Sequence, residues 1–241
     1  MICMSYAINP FVPYCAQKES MMTETTHITY LFDPLCGWCY GASAAIKTLA
    51  EQPGLIIEPM PTGLFANQNA PRMDDGFATY AWANDQRIAK LTGQPFSEEY
   101  RIKVLADRTA LLDSGPATLA LTAVSRTAPD RELEALRAIQ AARYVGGHDI
   151  TATKVLVQTL QSLSLNEAAS AFRASDPDLL SANHARINKS KAMMHRFGAD
   201  GVPVLVVDDG QDQRLIRSNE IIGNKLGVSK RAATNAAAPN L

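Results

Sequence analysis

The amino-acid sequence predicts an α/β protein whose strand-bearing domain is interrupted by an inserted all-helical domain. Three observations support this: strand signals occur near the two ends of the chain, helical periodicity fills the middle, and 46% of the 241 residues are hydrophobic. That apolar content suffices for one large core or two smaller ones. We expect a discontinuous domain at residues 25–66 and 190–228 around a helical insertion at 67–189, with a poorly ordered N-terminal extension at 1–24 and a C-terminal tail at 229–241.

The first segment with a clear pattern predicts a βαβ unit. His27 to Phe32 is β-branched and aromatic, and it ends at Asp33-Pro34, a pair that favours a turn. A helix follows, because apolar residues recur on one helical face until Gln52-Pro53. Leu55 to Met60 is a second short apolar run, so we expect two parallel strands joined by a helix.

Helical periodicity dominates from Asp74 to about Ser175. Within this block the pattern predicts helices at residues 116–127, 130–144 and 151–162. Asp176 and Pro177 are typical of an N-cap followed by proline at the first helical position, so a further long helix is expected to begin there and to end at Gly198.

The late apolar run from Val202 to Val207 predicts a strand covered on both faces, with residues 214–217 as the returning strand of a hairpin. Pro203 stands out because a proline removes a hydrogen-bond donor from a sheet and is confined to edges, strand starts or special turns. Two interpretations are open from the residues alone. Pro203 is either an ordinary trans proline that opens the strand, which is the commoner case, or part of a cis turn that leaves the Val202 backbone free to pair with an extended substrate.

The charge balance excludes two classes of partner. Lys and Arg number 23 against 24 Asp and Glu, which gives a formal net charge of -1. Such a chain has no field that gathers nucleic-acid phosphates or an anionic membrane surface, and no apolar stretch approaches the roughly 20 residues of a spanning helix. We therefore expect neither nucleic acid nor a membrane as a partner, while the composition does not determine the oligomeric state.

The four cysteines are too few for disulfide bonds to be the main stabilisation of a chain of this size. Residues 1–21 lack the basic start of a secretory signal, and Asn9, Pro10 and Pro13 interrupt any apolar core within them. We therefore predict a reducing, cytoplasmic setting and interpret Cys3 and Cys15 as incidental.

Cys36 and Cys39 are spaced as a working pair in the sequence Cys-Gly-Trp-Cys. Cys36 is expected at the N-terminal turn of the first helix, where free backbone N–H groups and the helix dipole favour a thiolate. Cys39, one turn later, is expected to face the interior and to attack a mixed disulfide formed on the exposed Cys36. Gly37 permits close backbone approach, and Trp38 offers an apolar surface beside the sulfur.

A short Cys-x-x-Cys pattern also occurs by chance or as half of a zinc site. A zinc site needs four ligands, and the remaining cysteines and the four histidines form no second paired spacing. We therefore predict no metal site. The position of the pair at a strand-to-helix junction inside a βαβ unit favours redox chemistry instead.

These features together resemble the DsbA-like thioredoxin-fold oxidoreductases, and most closely their cytoplasmic members of the predicted protein-disulfide isomerase type. The resemblance rests on the segment Asp33 to Gly41, the long helical insertion and the late Gly-Val-Pro-Val-Leu-Val segment, and it spans roughly residues 25–225. It implies a thioredoxin-like fold, Cys36 as nucleophile, Cys39 as resolving thiol, a cis Pro203 next to them, and Val202 in a substrate-contacting position.

Two departures from the family pattern matter. Gly-Trp stands between the cysteines where strongly oxidising periplasmic relatives have Pro-His, so an imidazolium that stabilises the thiolate is missing. We expect a more reducing couple than that of DsbA, whose potential is about -120 mV. The segment from Ile221 to Leu241 is also poor in large apolar residues, so the final helix of the family is expected to be short or altered.

The sequence therefore predicts a thiol-disulfide oxidoreductase that reduces or isomerises disulfides of a polypeptide substrate. It is expected to need no cofactor in the site, with external thiols such as glutathione as electron donors. One alternative is a glutathione-dependent transferase or isomerase of the kappa class, which shares the inserted architecture but has serine at the position of Cys36. The other is a non-enzymatic module that holds a metal or docks a partner. Glu58, a carboxylate in the second strand, is interpreted as solvent-facing in preference to a proton carrier beneath the cysteines.

Overall fold

A four-stranded sheet joins the two ends of the described chain. The computed structural model describes residues 25–223, so Cys3, Cys15, the predicted N-terminal extension and the predicted C-terminal tail lie outside the described residues. The strands lie in the order β2-β1-β3-β4. Their bounds are β1 Thr26–Phe32, β2 Leu55–Pro61, β3 Val204–Asp208 and β4 Gln213–Arg217.

The pairing of the strands confirms the predicted βαβ unit and hairpin. Strand β1 runs parallel to β2 and antiparallel to β3, and β4 returns antiparallel to β3. The two central strands are apolar on both faces, and Tyr30, Leu31, Phe32 and Leu205 are almost completely buried. A continuous apolar run is typical of strands that are covered on both sides, and here helices provide that cover.

Nine α-helices occur among residues 25–223. Helix α1 connects β1 to β2, helices α2 to α8 lie between β2 and β3, and α9 follows β4. Their bounds are α1 Gly37–Ala50, α2 Asp75–Thr92, α3 Glu98–Tyr100, α4 Gly115–Thr127, α5 Glu132–Tyr144, α6 Thr153–Ser162, α7 Asn166–Ala174, α8 Pro177–Arg196 and α9 Ser218–Ile222. A π-helical turn, Arg101–Leu105, continues α3.

The helical predictions agree with the structure where caps mark the chain. Asp74 and Asp176 cap α2 and α8 by accepting from the Phe77 and Leu179 amides at 2.7 Å each. The separate helices α3 and α7 were not predicted, although both lie within the block of predicted helical periodicity. The predicted domain boundaries stay predictions, but the order of strands and inserted helices confirms an α/β fold with a helical insertion.

A buried polar junction fixes the insertion to the sheet. The Arg186 guanidinium of α8 donates to the Glu132 carboxylate of α5 at 2.6 Å and to the Pro59 carbonyl oxygen of β2 at 2.8 Å. Burial raises the pKa of Glu132 to about 7, although Arg186 opposes the shift. Helix α8 thus holds the insertion and strand β2 in one fixed relation.

Within residues 25–223, no helix combines the length and the apolar character that crossing a bilayer requires.

Candidate active site

Cys36 lies at the N-cap of α1, where the sequence pattern predicted it. Its backbone is extended, with φ -84° and ψ 117°, and no side-chain cap or acidic residue occupies the first turn of the helix. The N-terminal amides of α1 therefore remain available to stabilise an anion at this position. Cys36 is only 8% exposed, so it is more covered than the open sulfur that the sequence predicted. Residues distant in the chain provide that cover.

Val202 and Pro203 lie directly beside Cys36. The Val202–Pro203 peptide bond is cis, and the Cys36 thiol donates to the Val202 carbonyl oxygen at 3.6 Å. Pro203 immediately precedes β3, which pairs with β1, so the sheet carries this loop to the start of α1. Two segments separated by 166 positions thereby meet at one sulfur.

Cys39 lies one helical turn after Cys36 and is completely buried. Burial raises the pKa of the Cys39 thiol well above its usual value, and a hydrogen bond to Cys36 adds to the increase. The backbone amide of Asp33 opposes it by hydrogen bonding to the sulfur. Both cysteines are free thiols in this structure. The pair therefore comprises one sulfur at a helix terminus and one in the interior, within hydrogen-bonding reach of each other.

Tyr30 approaches the buried thiol from the central strand. Its hydroxyl donates to the Cys39 carbonyl oxygen at 3.3 Å. Burial raises the pKa of Tyr30 well above its usual value, and the proximity of Cys39 and Cys36 contributes further. Tyr30 is therefore a neutral hydrogen-bond donor beneath Cys39. Its place in an apolar strand gave no signal of this contact.

Asp33 organises the loop between β1 and α1. One carboxylate oxygen accepts from the Leu35 amide at 2.9 Å, and the other accepts from the Phe65 amide at 3.2 Å and the Ser114 hydroxyl at 2.7 Å. Burial raises the pKa of Asp33, while these hydrogen bonds oppose the increase. The Asp-Pro pair predicts only a turn, because the sequence pattern does not indicate that its carboxylate is buried.

An aromatic cluster from the insertion covers the other side of the loop. Tyr144 of α5 stacks on Tyr40 of α1 with ring centroids 4.8 Å apart, and its hydroxyl donates to the Leu35 carbonyl oxygen at 2.7 Å. Phe96 and Tyr100 complete the cluster by edge contacts with Tyr144 at 5.1 Å and 5.0 Å. These rings help to exclude water from the residue that precedes Cys36.

Gly37 and Trp38 differ in what surrounds them. A Cβ atom built on Gly37 would lie 2.5 Å from the Asp85 carboxylate oxygen Oδ1, so a buried side chain of α2 occupies the space beside the glycine. The indole of Trp38 is half-buried, and the Arg87 guanidinium lies 5.8 Å from the centroid of its ring. Close approach at Gly37 was expected, whereas the identity of the approaching group was not.

Glu58 does not lie beneath the cysteines. Its side chain is exposed and pairs with Lys189 at 3.3 Å, as the solvent-facing interpretation required. No cluster of three or more His, Cys, Asp or Glu side chains within residues 25–223 is arranged to hold a metal ion.

A cavity of about 200 Å³ lies between α1 and α5, on a side of α1 where neither cysteine lines it. Its lining includes Tyr30, Ser43 and Gln140. Gln140 is completely buried, and its amide nitrogen and oxygen have no hydrogen-bond partner among the described residues. The cavity is thus separate from the space in front of Cys36.

A family profile described as the DsbA-like thioredoxin domain matches residues 27–225. The chain belongs to this family. Together with the sheet and its helical insertion, the match confirms the predicted fold class and the resemblance given above. The family is one of thiol-disulfide oxidoreductases.

Solved structures of the same family resemble the chain over most of its length. A structure described as the cytosolic disulfide reductase DsbM from Pseudomonas aeruginosa is 33% identical, with a TM-score of 0.73, covering 82% of this chain and 92% of that one. The same protein solved with GSH gives a TM-score of 0.71. A proposed protein disulfide isomerase from Nitrosomonas europaea is 24% identical, with a TM-score of 0.68 and coverage of 84% and 98%.

A 2-hydroxychromene-2-carboxylate isomerase is 18% identical with a TM-score of 0.56, covering 83% of this chain and 92% of that one, and shares the fold alone. No curated protein sequence matches the chain significantly.

Proposed function

We propose that this protein reduces or isomerises disulfide bonds of polypeptide substrates through a mixed disulfide on Cys36 that Cys39 resolves. The observation that carries the proposal is the position of the Cys36 sulfur, at the N-cap of a 14-residue helix and 3.6 Å from the Val202 carbonyl oxygen. A thiolate there is stabilised by helix amides, and an extended peptide laid along the Val202 loop brings its own sulfur close to it.

The reaction follows from the two thiols. The Cys36 thiolate attacks one sulfur of a substrate disulfide, the substrate S–S bond breaks, and the departing sulfur takes a proton. Cys39 then loses its proton and attacks the Cys36 sulfur, which releases the second substrate thiol. The substrate gains two electrons, and Cys36 and Cys39 become a disulfide. In isomerisation a substrate thiolate attacks the mixed disulfide instead, so no net electrons move.

The buried state of Cys39 supports its role as the second attacker. A thiol whose pKa is raised by burial is mostly protonated at neutral pH, so it does not compete for the incoming disulfide. Formation of the mixed disulfide consumes the Cys36 thiolate, and this removes the like-charged neighbour that disfavours ionisation of Cys39.

Trp38, Val202 and Pro203 are proposed to contact the substrate, and Gly37 to support the site. Trp38 presents a half-buried indole beside Cys36, which suits an apolar side chain of a peptide. Hydrogen bonds from a bound strand to the Val202 backbone would add affinity that is independent of the peptide sequence.

We propose that external thiols, with glutathione as the first candidate, return the oxidised pair to the dithiol in a reducing, cytoplasmic compartment. Two glutathione molecules supply the two electrons and leave as glutathione disulfide. The resemblance to a disulfide reductase described as cytosolic, and solved with GSH, supports this choice. The exchange itself uses only sulfur, so no metal or organic cofactor is assigned to the site.

The test compares glutathione-dependent insulin reduction with refolding of a scrambled disulfide protein, because only the first requires net electron transfer. Cys36→Ser is expected to abolish both activities. Cys39→Ser is expected to stall as a mixed disulfide that a mass spectrum detects and that dithiothreitol releases. A Cys3→Ser and Cys15→Ser double variant is the control and should behave as the wild type.

Activity in neither assay, combined with turnover of a small glutathione conjugate that survives Cys39→Ser, would contradict the proposal. That result would assign the chain to the glutathione-dependent transferases and isomerases. One equivalent of tightly held zinc in the reduced protein would instead support a metal-holding module.

A further inference from the structure

Asp85 of α2 is a buried carboxylate that lies against the N-terminal turn of α1. Its side chain belongs to a residue that is 4% exposed, and its Oδ1 occupies the space that a Cβ on Gly37 would fill. Gly37 directly follows Cys36. The carboxylate therefore reaches the same helix terminus that would stabilise the Cys36 thiolate.

The Asp85 carboxylate has few hydrogen-bonding or charged neighbours among the described residues. Oδ2 accepts from the Tyr100 hydroxyl at 3.0 Å. Behind Tyr100, the Arg143 guanidinium of α5 lies 5.4 Å from the Tyr100 ring centroid and 5.7 Å from that of Tyr144. Arg143 is 3% exposed, and its Nε has no hydrogen-bond partner among the described residues. Asp85 thus has one hydrogen-bonding hydroxyl and one buried cation in its vicinity.

Other charged groups on α1, α2 and the π-helical turn have partners of their own. The Arg87 guanidinium, two residues after Asp85, lies 5.8 Å from the centroid of the Trp38 ring. Lys47 of α1 pairs with Glu51, and Lys103 of the π-helical turn pairs with Glu99. In the same turn, the Arg101 guanidinium lies over the Trp82 ring. The groups that act on Asp85 are Tyr100, Arg143 and the neutral hydroxyl of Tyr144. Its carboxylate meets α1 at Gly37, the residue that follows Cys36.

We propose that Asp85 is a positioning residue whose negative charge at the N-terminus of α1 opposes ionisation of Cys36 and keeps the cysteine pair reducing. This inference rests on the proposed function. Two anions at one helix terminus repel each other in a water-poor contact. A less stable thiolate destabilises the reduced protein, which makes its dithiol a stronger reductant, whereas DsbA is a strong oxidant because its reduced form is stabilised.

The geometry also explains why a glycine follows the first cysteine. Any side chain at position 37 would collide with the Asp85 carboxylate, so Gly37 is what admits the charge to the helix terminus. Burial raises the pKa of Asp85 to about 7. The opposing charge is therefore present at alkaline pH and is lost as the pH falls through neutrality.

The experiment measures alkylation of Cys36 in the reduced protein against pH, with the modified peptide identified by mass. Asp85→Asn preserves the shape of the side chain and removes its charge. It is expected to move the alkylation midpoint down by on the order of one pH unit. At pH 8 it should also shift the equilibrium with glutathione towards the dithiol, by up to about tenfold. At pH 5.5, where wild-type Asp85 is mostly neutral, the difference between the two proteins in this equilibrium should nearly vanish.

Two further variants separate charge from structure. Asp75→Asn removes one charge from the same helix at an exposed position paired with Arg108, and it should change neither quantity. Tyr100→Phe keeps the carboxylate but removes its hydrogen bond, so it should move the midpoint in the same direction by a smaller amount. The wild-type alkylation profile should be broader than a single ionisation, and Asp85→Asn should restore a single one.

An unchanged midpoint in Asp85→Asn, or an equal shift in Asp75→Asn, would overturn the inference. A difference between the wild type and Asp85→Asn in the equilibrium with glutathione that persists at pH 5.5 would also overturn it, because it would indicate a change of structure. Failure of the wild type to equilibrate with glutathione would instead contradict the proposed function, while the alkylation midpoint would still test Asp85.

Discussion

Two buried carboxylates flank the cysteine pair, and they are held in different ways. Asp33 directly follows the central strand β1, and among the described residues its carboxylate accepts hydrogen bonds from Leu35, Phe65 and Ser114. Asp85 belongs to the insertion, and within residues 25–223 its carboxylate accepts one hydrogen bond, from Tyr100. Burial raises the pKa of both, but only Asp33 has enough donors to compensate for much of the lost hydration. The comparison indicates that Asp33 and its three donors form a structural clamp at the end of β1. Asp85, on the insertion, is instead a charge that can titrate.

The largest effect is expected from removing the clamp. Asp33→Ala leaves a buried hydroxyl and two backbone amides without their acceptor, so the free energy of unfolding should fall by about 3–5 kcal/mol in urea denaturation. The control is Asp149→Ala, which removes an exposed carboxylate that accepts from the Thr151 amide and hydroxyl at 2.9 Å and 2.7 Å. It should cost under about 1 kcal/mol. Equal losses in the two variants would refute the distinction between them.

A smaller effect is expected in the pH dependence of stability. Asp85 has a pKa raised to about 7 in the folded protein, against 3.8 as its ordinary value. Between these values the folded state binds the extra proton, so the free energy of unfolding should fall as the pH rises. Relative to Asp85→Asn, the wild type should lose on the order of 3 kcal/mol between pH 4 and pH 8.

Calorimetry or urea denaturation across this range measures the difference. Asp75→Asn supplies the matched control, because that exposed carboxylate should leave the slope unchanged. Parallel stability curves for the wild type and Asp85→Asn would show that the carboxylate does not titrate as proposed.

The smallest effect is expected at the contact itself. Gly37→Ala places a Cβ against Asp85, and Gly41→Ala places a Cβ 2.4 Å from Ile88 Cγ2. Each substitution should lower the free energy of unfolding by about 1–3 kcal/mol. In an Asp85→Ala background the cost of Gly37→Ala should shrink by about 1 kcal/mol, while that of Gly41→Ala should persist. Denaturation of the single and double variants gives a double-mutant cycle. Additive losses in the free energy of unfolding for Gly37→Ala and Asp85→Ala would argue against the contact.

The parts of the candidate site near β1 and the start of α1 were predictable from the sequence, whereas the contacts made by the insertion were not. The helix that carries Cys36 and Cys39 follows a strand and a turn, and both the apolar period and the spacing of the thiols lie within one short segment. Such local patterns predicted the βαβ unit and the helix terminus. The hairpin after Val202 was predicted for the same reason, since an apolar run followed by turn residues is also a local signal.

Asp85 shows why the remaining contacts were not predicted. It stands among Ala78, Ala81 and Ile88 on one face of α2, so a single polar residue in an apolar face was the available signal. That pattern alone does not distinguish a buried carboxylate from a polar residue at a solvent-exposed position of the helix. Tyr30 and Asp33 were likewise interpreted as a strand residue and a turn residue.

The sequence by itself determined the class of fold and the place of the cysteine pair at the start of a helix, because hydrophobic periodicity and residue spacing act over short distances along the chain. Only the tertiary structure decided how completely the Val202 loop covers Cys36, that the Ser114 hydroxyl binds Asp33 and that Asp85 faces Gly37. These contacts join residues far apart in the chain, and the energies that matter there, desolvation and charge repulsion, depend on which groups packing brings together and how completely water is excluded.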